Sequence, residues 1–165
     1  MHVKTVKINF HLKTKSGLNA TGVILLYRMK SKKNRIMSYF LSTTIKGKSF
    51  DEAVEQVKAE LGNEGFGIPT EVEMNNIFKQ KLDVDFRKYR ILGACNPKFA
   101  LKAVKSEKNI GVLLPCSVVV QEHENGDVEV AAVDPVVSMT EVKNETVQEV
   151  AAEIRSRLEK VIQSL

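Results

Sequence analysis

The 165-residue sequence has no tryptophan, two cysteines, three histidines and four prolines. Each scarcity removes a class of protein. Two cysteines, Cys95 and Cys116, are too few for the disulfide framework that holds small secreted domains together, and a chain of this length can bury a hydrophobic core without one. No apolar run approaches the roughly 18 residues needed to cross a bilayer, so no membrane span is expected. The only candidate for the apolar part of a signal peptide, residues 22–27, is short and is followed by more positive charge instead of a small-residue cleavage site. Together these features point to a reducing cytoplasm.

Acid is absent from the first 36 residues, which carry nine basic side chains (Lys4, Lys7, Lys13, Lys15, Arg28, Lys30, Lys32, Lys33 and Arg35). Of the 25 Lys and Arg, 16 therefore remain from Met37 onward against all 20 Asp and Glu, a net charge of about −4 for that part. The formal charge of +5 belongs to the leading segment, and residues 37–165 would repel a phosphate backbone, which argues against nucleic acid as their partner. Residues 1–36 also lack a sustained helical or alternating period. They read as an over-extended start before Met37, as a basic tail that does not fold, or, least in keeping with only two arginines, as a transit peptide. The expected organisation is a non-folded extension or mis-assigned start over 1–36 and one domain over 37–165.

Histidine is scarce enough to limit the chemistry. Only His123 follows Met37, and it sits beside the predicted hairpin turn, so a Ser-His triad is not expected in the domain, and Cys95, Cys116 and His123 offer at most three metal ligands with no C-x-x-C pair. Neither a metal nor a cofactor is expected, and His123 reads as a solvated strand end. The acids Asp83, Asp85, Glu122, Glu124 and Asp134 have no spacing that brings two together and are expected in solvent. Gly65-Phe66-Gly67 lacks the strand, spacing and helix of a phosphate loop and reads as an ordinary turn.

What is present is a regular alternation of strand and helix signals. The aromatic and β-branched run at residues 39–45 predicts a strand. Ser49-Phe50-Asp51-Glu52 is a capping box, and Phe50, Val54, Val57 and Leu61 form one apolar stripe behind it, ended by Gly62 or Gly65. Residues 66–74 contain Pro69 and predict an edge or bulged strand, followed by a short helix to Leu82 capped by Asn75 or Asn76. A third strand covers 86–95. Asn96 and Pro97 then supply an N-cap that accepts an orphan amide and a first-turn proline, with Phe99, Ala100, Ala103 and Val104 as the apolar face of the next helix. Residues 112–120 read as a buried strand bent at Pro115, joined by a two-residue turn at Asn125-Gly126 to a strand over 128–133. From Val147 to Leu165 apolar residues recur at helical spacing, giving a long last helix that packs across the sheet. The pattern predicts an α+β two-layer sandwich with a mainly antiparallel sheet and helices on one side.

Residues 91–116 hold both cysteines and two motifs, Leu92-Gly93-Ala94-Cys95-Asn96-Pro97 and Leu113-Leu114-Pro115-Cys116. With these motifs, and with Met37-Ser-Tyr-Phe as a first strand, the chain resembles the domain-of-unknown-function family three hundred and two. The resemblance covers residues 37 to about 137 and, more loosely, the last helix. It implies the same α+β fold and a homodimer, and carries no catalytic role.

The site residues singled out are Cys95, Asn96, Pro97 and Cys116. Cys95 precedes the predicted helix, whose free amides and dipole would favour its thiolate; the competing reading is a small apolar side chain closing a strand. Cys116 lies in an apolar run and reads as packing. Two functions follow: a dimeric, non-catalytic module binding a small ligand or a partner, or a thiol-dependent protein using Cys95 for redox, sulfur transfer or transient metal binding. Whether Cys95 and Cys116 share an accessible cleft separates them.

Overall fold

The computed structural model describes residues 38–165. The expected boundary at 36–37 and the nature of the segment before it lie outside the described residues.

Five strands form one antiparallel sheet in the order β1-β5-β4-β3-β2, with β1 Phe40–Ile45, β2 Gly67–Glu73, β3 Tyr89–Cys95, β4 Cys116–Glu122 and β5 Val128–Val133. Alternation sorts their side chains: Leu92, Ala94, Val118, Val120, Val128, Val130 and Ala132 are buried, whereas Ile91, Val119, Ala131 and Val133 between them are half-buried. Helices α1 (Phe50–Asn63), α3 (Pro97–Ser106) and α5 (Glu145–Ser164) contribute to the same core as the buried set, so the domain is the expected two-layer α+β sandwich.

The capping box at α1 forms as the sequence dictates. The Ser49 amide donates to the Glu52 carboxylate at 2.8 Å, and the Glu52 amide donates to the Ser49 hydroxyl oxygen at 3.4 Å. The Ser49 hydroxyl and amide together hold the Glu52 carboxyl below its usual range. Phe50, Val54, Val57 and Leu61 are buried. Of the two candidate stops, Gly62 lies within the helix and Gly65 ends it at φ 82°, its left-handed backbone letting Phe66 donate back to Leu61. On α5, Val147, Val150, Ala151, Ile154, Leu158, Val161 and Ile162 are buried along one stripe. Strand β2 is an edge strand with a register shift between Gly67 and Thr70, at Pro69, where a missing amide donor is tolerated.

Several local expectations are corrected. Helix α2 (Met74–Leu82) begins after Glu73, so Asn75 and Asn76 lie inside it; Asn75 instead accepts from the Tyr89 amide at 3.4 Å. Strand β3 starts at Tyr89, not at Phe86. Residues 110–113 form a 3-10 turn with Val112 exposed, and the strand begins only at Cys116, after the cis Leu114–Pro115 bond. The β4–β5 hairpin forms, but through a longer turn: Gly126 donates to His123 and His123 donates to Asp127, with Gly126 at φ 83°. This is a three-residue loop with glycine in the left-handed position after a tight turn. Val104 is exposed on α3, which buries Ala103 against the core.

Candidate functional site

Because β3 and β4 are neighbours, the two sequence motifs meet: Gly93 pairs with Ser117 and Ala94 with Cys116. A Cβ on Gly93 would stand 2.6 Å from Pro115 Cγ and 2.1 Å from Thr70 Oγ1. Glycine is therefore needed so that Pro115 and Thr70 can close over the strand, and the two motifs are halves of one packed unit.

Cys95 ends β3, Cys116 opens β4, and both line one small cavity of about 20 Å3. Phe66, Phe99, Leu114, Met139 and Ile154 are among the apolar side chains that enclose it. A space of this size admits one water-sized group and no organic ligand. Cys95 is half-buried and Cys116 is buried, and both are free thiols. Burial pushes the Cys116 thiol up to about 11, and the neighbouring Cys95 adds to the effect. A thiol held protonated is a weak nucleophile, so any thiol reactivity of the pair belongs to Cys95.

Asn96 and Pro97 stand at the N-cap and first turn of α3, but the Asn96 side chain does not cap the helix. Its Nδ2 donates instead to the Glu64 carbonyl at 3.5 Å, because the turn at Gly65 brings the end of α1 beside it; a Cβ on Gly65 would lie 3.1 Å from the same nitrogen. Arg157 on α5 donates to that carbonyl at 3.3 Å and lies over the Phe99 ring, tying the ends of α1, α3 and α5 together. Of the sequence-selected residues, Cys95, Asn96 and Cys116 converge on the cavity, while Pro97 is exposed outside it. Met139, which also lines it, was missed; no pattern links it to the cysteines, and only the short helix α4 (Pro135–Ser138) brings it there.

The acidic residues divide. Asp134 is buried, not solvated: it caps α4, accepting from the Val136 amide at 3.0 Å, and pairs with Arg155 at 2.8 Å. Asp83 and Asp85 are exposed but share Lys79, at 2.9 and 3.1 Å. His123 lies at the solvated hairpin end, 3.1 Å from Glu129. Among the described residues no three His, Cys, Asp or Glu side chains stand together as a metal site.

The second feature is the sheet face opposite α1, α3 and α5. Phe40, Val133, Ala131, Val119, Ile91 and Val72 cross it on all five strands at positions set by the register, and each is half-buried or exposed. A depression of about 400 Å3 on it is lined by Tyr39, Phe40, Tyr89, Val119 and Val133 among others. Helix α2 flanks this surface through Phe78, whose ring stands edge-on to Phe86, which in turn is tilted against Tyr89, and Arg87 donates to Gln121 at 2.7 Å. None of the residues of α2 is buried, and Ile77 and Leu82 are exposed together with Val84 and Phe86 in the segment that follows.

A family model described as a domain of unknown function, DUF302, matches residues 41–165. Among solved structures the chain is similar to one described as the uncharacterized conserved protein DUF302 from Bacillus stearothermophilus, with a TM-score of 0.69 and 25% identity over 76% of this chain and 96% of that one. No curated protein matches. With the family model spanning well over half the sequence and the two motifs packed as one unit at the centre of the matching fold, the chain belongs to the DUF302 family.

Proposed function

We propose that the domain is a non-catalytic binding module whose uncovered sheet face pairs with a second copy of the same chain. The observation that carries this reading is a mismatch between composition and cover. Strands β4 (CSVVVQE) and β5 (VEVAAV) are apolar at both parities, as in strands covered on two faces, yet among the described residues only one face packs against α1, α3 and α5, while residues 112–115 reach over just the Gly93 end of the other. Charge on the face is confined to one end, where Arg87 donates to Gln121, and Gln121 in turn donates to Glu129, which faces His123; both signs are present there, so no block of like charge opposes a second copy. A nearly neutral apolar patch is complementary to itself, which suits the two-fold symmetry of most homodimers. Its depression is open to solvent and so favours a partner surface over an engulfed small molecule.

Val119 lies mid-face on β4 and is half-buried, so a change there disturbs the face more than the core. In sedimentation velocity of the full chain at on the order of ten micromolar, where a standard-size interface is occupied, wild type should run as a dimer and Val119→Arg as a folded monomer. A monomeric wild type, or a Val119→Arg variant that remains dimeric, overturns the proposal.

A second reading, thiol chemistry at Cys95, is favoured by one observation: the half-buried Cys95 and buried Cys116 line the same cavity. It is independent of the sheet face.

A further inference from the structure

Three sulfur-bearing side chains line the small cavity: Cys95 from the end of β3, Cys116 from the start of β4, and Met139 from the end of α4. Both cysteines are free, and Cys116 and Met139 are 6% and 3% exposed. The rest of the lining is hydrocarbon apart from Asn96, and includes no carboxylate and no imidazole. A partner-binding sheet face does not call for this arrangement, which lies on the helix side of the sheet.

The donor set is selective. Thiolate and thioether sulfur are soft ligands that favour monovalent copper, while hard cations require oxygen. Structural zinc takes four nitrogen or sulfur ligands in a tetrahedron, more than this lining supplies. The volume of about 20 Å3 matches one ion and not an organic molecule. The first turn of α3 begins directly after Cys95 and Asn96, and no side chain caps it, so the positive end of a ten-residue helix is free to face negative charge at the cavity.

The geometry points to a buried soft-metal site in which Cys95, Cys116 and Met139 hold one Cu(I) ion. The two thiols each lose a proton to solvent as the Cu–S bonds form; the thioether donates a lone pair and loses nothing; copper stays in the +1 state throughout. The resulting complex carries one net negative charge, close in sequence to the uncapped first turn of α3. The inference deepens the reading that the cysteine pair is used, and it is independent of dimerisation.

The test is anaerobic competition for Cu(I) between the reduced full chain and a chromophoric Cu(I) chelator. Wild type should withdraw one tightly held equivalent. Cys95→Ser and Cys116→Ser should each weaken that equivalent by more than the roughly 10–100-fold that losing an outer-shell partner costs a metal site, and Met139→Leu, which keeps the volume, by about the lower end of that range. Met1, Met29, His2 and His11 of the leading segment could take up copper as well, so the Cys95→Ser/Cys116→Ser double variant sets the background. The proposal is overturned if wild type withdraws no more copper than the double variant, or if Met139→Leu leaves the affinity unchanged. Should Cys116→Ser fail to fold, Cys95→Ser and Met139→Leu decide the question alone. Iodoacetamide labelling of Cys95 in the metal-free protein separates the two readings: rapid labelling without copper uptake sinks the metal site and leaves thiol chemistry standing.

Discussion

Gly93, Pro115 and Thr70 show how two short motifs become one structure, since the space a Cβ would need at Gly93 is already filled. Gly93→Ala must displace a proline ring or shift the β2–β3 edge, and overpacking of this kind costs about 1–3 kcal/mol, readable as a lowered denaturation midpoint with unchanged slope. Cys116 carries a second consequence. Its thiol is pushed to about 11 in the folded protein, above its unfolded value near 8.5, so folding favours the protonated form. That contribution is complete below the unfolded value and is lost as pH rises toward the folded one, a change on the order of 2–3 kcal/mol. Stability of wild type relative to Cys116→Ala should therefore be flat up to about pH 8 and decline between roughly pH 8.5 and 11; a difference that stays constant across that window contradicts the assignment. Both motifs were visible in the sequence, but their mutual contact was not, because it depends on the β3–β4 register.

At the scale of elements, the sequence is most informative where a signal is local and repeated. The Ser49-Glu52 box and the α5 stripe each rest on side chains within one helix, so neighbours could not overrule them. Ser49→Ala removes the oxygen that the Glu52 amide uses and should destabilise the domain by about 0.5–2 kcal/mol in chemical denaturation; no loss would mean the cap is not formed in solution. Signals failed where a tertiary partner competed. Asn75 was drawn into α2 with its oxygen turned to the Tyr89 amide, and the Asn96 side chain left its own helix for the Glu64 carbonyl. The apolar run 112–120 reads as one strand, yet its first residues form the turn that delivers Pro115 to Gly93. Asp134 looked like a surface acid because Arg155, which pairs with it, lies 21 residues away.

For the whole molecule, the two-layer architecture was legible from the succession of strand and helix signals, and the family motifs agreed with it. The identity of the uncovered face was not. Val118, Val119 and Val120 are equally apolar in the sequence, and only the register decides that Val119 looks away from the helices. Likewise the sequence shows α2 only as a short helix to Leu82, and the fold reveals that none of its residues is buried. Both features become intelligible if a second copy supplies the missing layer. Isotope-filtered NMR on an equimolar mixture of carbon-13-labelled and unlabelled full chain tests this directly. Contacts between copies should arise from the methyl groups of Ile91, Val119 and Val133; their absence from a sample that sediments as a dimer, or their appearance only on the helical side, would contradict the account.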